Sequence, residues 1–168
     1  MPYAVTHILI PILLAAIFRD FYLRKRDRKS FPLHYVLVAG LGGVLPDIDI
    51  PISFVLNYFG VANWNIHRLF THSFIFPAIF FILFLAFSKV NTRAKICNIT
   101  KHKLKLSLLF IMISFGTLTH ILLDNSFIYF LNVFPQEIRH WIPATLDGIL
   151  LVLWIVYLEL KHKISDFI

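Results

Sequence analysis

The chain has 168 residues, of which 58% are hydrophobic and 15% charged, with 18 phenylalanines and a mean hydropathy of +0.76. Soluble domains are roughly half apolar, so this composition excludes a water-soluble fold with a separate polar module, and the single cysteine, Cys97, excludes a disulfide framework or a multi-thiolate metal centre. The net charge of +7 sits in alternate connections between apolar runs, a membrane-topology pattern with no motif for nucleic acid.

The pattern predicts one domain, 1–168, built as an all-α integral membrane helical bundle of about five membrane segments. The first run, 4–18, carries His7 and Pro11 and lacks a basic n-region or small-residue cleavage site, so a removed signal peptide is not expected. The second, 35–46, is interrupted at Pro46–Pro51 and resumes over 50–62. Prolines at these positions predict a broken helix, and irregular backbone at membrane depth survives only in a protein-lined cavity. The third run is 74–88, the fourth 106–131 and the fifth 142–160. A full span takes about 20 residues, so the last two fit and the first three are short or interrupted.

Fourteen of the sixteen basic residues lie in 19–34, in 89–105 or at Lys161 and Lys163. By the positive-inside rule those connections and the C-terminus are cytoplasmic, in a multi-pass protein of the cell membrane whose lipid bilayer is its first partner. Helical rise then places His7 about 18 Å from Arg19, Asp47 about 20 Å from His34, His72 about 25 Å from Lys89, His120 about 22 Å from Lys105 and Asp147 about 21 Å from Lys161. Five segments thus deliver ionisable groups to one layer, toward the extracytoplasmic side. Ionisable side chains at that depth are costly unless paired, metal-bound or facing water.

The clusters have a common chemistry. His120 and Asp124, in THILLD, are four apart and share one helix face, close enough to grip one ion; their competing role is a hydrogen bond between helices. LPDIDIP supplies Asp47 and Asp49, two carboxylates that can converge on one cation, although either alone also suits a helix N-cap. HRLFTHS supplies His67, Arg68 and His72; Arg68 either neutralises the aspartates or binds an anion such as phosphate. His7 and Asp147 have bland alternatives, at an interfacial helix start and at a helix N-terminus where the dipole favours a carboxylate. Imidazoles and carboxylates without thiolates suit a divalent metal, zinc first, with manganese or iron as alternatives. Water activated by that metal, with a spare carboxylate as base and Arg68 steadying negative charge, makes hydrolysis the economical reaction. No HExxH, GxSxG or P-loop signature is present.

Thr6–His7, LPDID at 45–49, HRxFTHS at 67–73 and THILLD at 119–124 occur in an order that resembles a family of membrane-bound, metal-dependent hydrolases. That family is distantly similar to the zinc-dependent phospholipase C and P1-type nuclease group. The resemblance implies metal ligation by His7, Asp47, His67, His72, His120 and Asp124, with Asp49 as ligand or base, and a phosphoester or lipid substrate. Ile50 and Leu69 stand where many members have His and Gly.

The expectation is therefore a membrane-bound metal-dependent hydrolase, with Asp49 as base and Arg68 as anion binder. The alternative from another class is a non-enzymatic metal carrier or sensor using the same ligands. A third possibility is a purely structural polar layer that binds no metal.

Overall fold

The computed structural model describes residues 4–22, 31–60, 70–89, 93–94, 104–139 and 141–161. His67, Arg68, Cys97 and most of the basic residues in the two loops lie outside them. In chain order the helices are α1 (Ala4–Tyr22), α2 (His34–Val44), α3 (Asp49–Tyr58), α4 (Ile75–Ser88), α5 (Leu106–Leu131), the short α6 (Gln136–Arg139) and α7 (Trp141–Lys161). A 3-10 turn, Leu45–Ile48, joins α2 to α3. Two short strands, β1 (Arg93–Ala94) and β2 (Leu104–Lys105), pair antiparallel across the connection from α4 to α5. They are the one departure from an all-helical bundle among the described residues.

The second segment corrects the sequence expectation. The chain does not break at Pro46–Pro51 but stays helical from His34 to Tyr58, tightening to 3-10 geometry over LPDI. Pro46 enters at the start of the 3-10 turn and Pro51 in the first turn of α3, where a missing N–H costs little. Two stretches, His34–Tyr58 and Leu106–Ser126, are long and apolar enough to cross a membrane, while Ile75–Ser88 and Trp141–Tyr157 are apolar but shorter. Among the described residues there are five main helical rods, and two of them meet the length of a span.

Packing explains the arrangement. α2 lies against α5 on one side and α1 on the other, α4 packs on α5, and α7 packs on α1. The core between α1, α2 and α5 is built on Ile12, Ala15, Ala16, Val36, Ala39 and Met112, with the aromatic rings of Phe31 and Tyr35 packed into the same cluster. Large apolar side chains also cover outward faces: Phe81, Ile82 and Leu85 on α4, and Val152, Leu153 and Ile155 on α7 are exposed. Helices apolar on all sides suit lipid surroundings. With no hydrophobic gain available between helices in lipid, close packing and hydrogen bonds must join them. Ser114 Oγ donates to the Pro77 carbonyl at 2.9 Å and so ties α5 to α4.

At the other end of α1, buried Arg19 donates from Nε to the Phe31 carbonyl at 2.7 Å and pairs with Asp20 at 3.2 Å. Tyr157 donates its hydroxyl to the same Asp20 at 2.5 Å, which fixes α7 to α1. A hydrogen bond to a charged partner is worth about 1.5–3 kcal/mol. Tyr157→Phe is accordingly expected to lower stability by about 2 kcal/mol, read as a lower denaturation midpoint in detergent; an unchanged midpoint would mean the contact contributes nothing.

Candidate metal centre

The sequence GLGG at 40–43 sets the helix spacing. A Cβ on Gly43 would fall on the carbonyl oxygen of His7 and within 2.9 Å of the Pro11 ring, and one on Gly116 of α5 would fall on the Ala39 carbonyl. Without those carbons, α1, α2 and α5 approach to backbone contact, the small-residue packing that lipid favours. Pro11 has no N–H to offer the His7 carbonyl four residues back, so α1 is locally unbonded where Gly43 passes. This seam brings His7 of α1 and His120 of α5 together, their rings stacked with centroids 4.0 Å apart.

His120 is fully buried, and its Nδ1 lies 2.7 Å from the Gly43 carbonyl oxygen. A carbonyl only accepts, so Nδ1 carries the proton and the neutral ring presents its Nε2 lone pair to the interior. That nitrogen is 3.3 Å from His72 Nε2 and 3.6 Å from Asp47 Oδ1, and His72 Nε2 is 3.4 Å from the same Asp47 oxygen. Asp124 Oδ2 lies 3.7 Å from His72 Nε2 and 3.9 Å from His120 Nε2. A tetrahedral ion with bonds of about 2.0–2.1 Å has ligand–ligand edges of about 3.3–3.4 Å. The His72, His120 and Asp47 donors therefore form a triangle close to one face of such a site, with Asp124 Oδ2 beside its His72–His120 edge. Two carboxylates facing imidazole lone pairs fit a divalent cation in chemistry as well as spacing.

His7 Nε2 is 3.3 Å from the other Asp124 oxygen, Oδ1. Among the described residues two triads are thus near enough to hold an ion: Asp47, His72 and His120, or His7, His120 and Asp124. They share the single Nε2 lone pair of His120, which binds one ion at a time. The triads are alternatives, and the carboxylate of Asp124 joins them. His7 Nδ1 is buried and has no hydrogen-bond partner among the described residues.

The sequence-predicted residues separate accordingly. His7, Asp47, His72, His120 and Asp124 converge from α1, the 3-10 turn, the turn before α4, and α5. Asp49 faces away from this cluster: it accepts from the Thr71 hydroxyl at 2.8 Å and lies 3.8 Å from His72 Nδ1, the far side of that ring. A 3-10 turn rotates about 120° per residue, so Asp47 and Asp49 diverge by about 120° instead of meeting on one cation. Asp147 of α7 accepts a hydrogen bond from Thr6, next to His7. Both groups are buried, so Thr6→Val is expected to cost about 1–3 kcal/mol by leaving Asp147 without that donor, measured as a lower unfolding midpoint with metal content retained. Gly43 and Thr71 had no functional role in the sequence reading. The cluster of small residues at 40–43 inside an apolar run was the available signal for the first.

Fold and site together define a multi-helix membrane protein with a buried His/Asp cluster able to hold a metal ion. The chain belongs to the YdjM inner membrane protein family, whose model matches residues 1–129. The match covers the candidate ligands and ends within α5, ahead of α6 and α7. It establishes a membrane protein family and names neither a metal nor a reaction. No curated protein and no solved structure matches the chain.

Proposed function

We propose that this protein is a membrane-embedded, metal-dependent hydrolase acting on a phosphoester, from a lipid headgroup or a soluble phosphodiester. The observation that carries this function is the pair of imidazole Nε2 atoms of His72 and His120, 3.3 Å apart, each with the carboxylates of Asp47 and Asp124 within 3.4–3.9 Å in a largely buried cluster. His72, His120, Asp47 and Asp124 would hold the ion, zinc being the first choice for this donor set. A divalent metal there supplies Lewis acidity, lowering the pKa of water and drawing charge from a phosphoryl oxygen. The His7–Asp124 pair, buried and 3.3 Å apart, gives a released proton a destination. The paired hydrogen bonds of Arg68 suit the phosphate. The one-sided basic loops support an extracytoplasmic position for the centre.

The test is metal analysis of detergent-purified protein prepared without chelators, followed by turnover assays on a soluble phosphodiester and on phospholipid vesicles. Expected are about one zinc per chain, because both triads need the same His120 lone pair, and hydrolysis that disappears in His120→Ala. Metal-free protein would overturn both the hydrolase and the carrier; metal without turnover of either substrate would favour the carrier.

A further inference from the structure

Behind His72, on the side away from the donor cluster, stand two side chains from different elements. Thr71 is in the turn before α4 and Asp49 is the buried first residue of α3. The Thr71 hydroxyl is 2.8 Å from Asp49 Oδ2 and 3.2 Å from His72 Nδ1, and Asp49 Oδ2 is itself 3.8 Å from that nitrogen. An ionised carboxylate only accepts, so the single hydroxyl proton of Thr71 goes to Asp49. The Thr71 oxygen then has only lone pairs to offer, and His72 Nδ1 must carry the ring proton. Its Nε2 lone pair is thereby turned toward His120, Asp47 and Asp124. The Gly43 carbonyl imposes the same tautomer on His120 from the opposite side of the centre.

Resting on the metal assignment proposed above, we infer that Asp49 and Thr71 are positioning residues for His72, a carboxylate–hydroxyl–imidazole relay that fixes its tautomer and ring orientation, and that Asp49 is neither a metal ligand nor the general base. Groups that orient a ligating histidine in this way commonly contribute about 10–100-fold to metal affinity. The relay also holds the start of α3 against the turn before α4. It joins the two halves of the site that are farthest apart in this part of the chain.

The experiment uses the full chain in detergent, with Thr71→Val, Thr71→Ser and Asp49→Asn beside wild type. The first readout is the pair of ring 15N shifts of His72 in metal-free protein. The second is the affinity and visible absorption of cobalt(II), which reports ligand number and type. In wild type the shifts are expected to show the proton on Nδ1. Thr71→Val should mix the tautomers and weaken cobalt about 10–100-fold with the absorption bands in place. Thr71→Ser keeps the hydroxyl and should keep both properties, which a merely structural role for the threonine methyl would not predict. Asp49→Asn should weaken cobalt without changing its bands.

Unchanged tautomer and affinity in Thr71→Val would overturn the relay, and a ligand-loss change of the cobalt bands in Asp49→Asn would make Asp49 a ligand after all. Wild-type protein that binds no cobalt would instead remove the metal assignment. The tautomer measurement, made without metal, would still decide the relay.

Discussion

His120→Ala is expected to lose the bound metal, with affinity falling by on the order of 100-fold or more, since even groups that only orient a ligand contribute about 10–100-fold. The side chain serves both triads, and nothing else among the described residues can replace its Nε2. The same ring donates to the Gly43 carbonyl and stacks on His7, so the alanine variant also leaves a buried carbonyl unsatisfied and a void beside α1. That adds a stability loss of about 1–3 kcal/mol for the acceptor alone. His120→Asn separates the two effects. Its amide N–H can reach the Gly43 carbonyl while no donor replaces Nε2, so the unfolding midpoint should recover and the metal should not. Metal per chain and the midpoint in detergent, measured on all three proteins, give the answer. Wild-type metal content in the asparagine variant would remove His120 from the ligand set.

Gly43→Ala is expected to be the most disruptive single methyl in the chain. Its Cβ would meet the His7 carbonyl and the Pro11 ring, and backbone cannot step aside as a side-chain end can. Overpacking of tight interiors costs about 1–3 kcal/mol and more where relief needs backbone movement, so at least about 3 kcal/mol is expected, with α1 pushed off α2. Gly116→Ala meets the Ala39 carbonyl and the Gly43 nitrogen and should behave alike. Gly40→Ala clashes with the Ile12 side chain, at 2.6 Å, and meets backbone only at 3.4 Å, so it should be milder. Gly148→Ala on α7 meets nothing within 4 Å and should gain up to about 1 kcal/mol from helix propensity. The ordering of the four midpoints is the check; equal losses at positions 40 and 43 would contradict the close approach of α1 and α2.

Depth was the legible part of the site. Spacing from the basic loops puts His7, Asp47, His72 and His120 in one layer because helical rise is fixed, and those four do share a cluster. Pairing was less legible. His120 and Asp124 are a turn apart on α5, yet Asp124 Oδ1 also lies 3.3 Å from a nitrogen of His7, from the other end of the family-matched region. Such a contact depends on how α1 crosses α5, which no local pattern encodes. The aspartates at 47 and 49 were legible as polar groups between apolar runs, but their divergence follows from a backbone that stays helical through them, which prolines alone do not specify. For the fold, apolar runs located every main helix. The prolines misled at 46 and 51 because both fall in first turns, where proline starts a helix as readily as it stops one.

The glycine seam also bears on how anything reaches the centre. Along the α1–α2 and α2–α5 seams the backbones approach each other directly, so side-chain movement there leaves the seams closed. On the opposite flank the carboxylate of Asp47 is 25% exposed, beside the outward-facing Ile48 and Ile50. Among the described residues the donor cluster is thus partly uncovered along the 3-10 turn, where apolar side chains flank it. Under the function proposed above, a substrate would meet hydrocarbon-like surface there before the charged donors, with the glycine seam packed behind them.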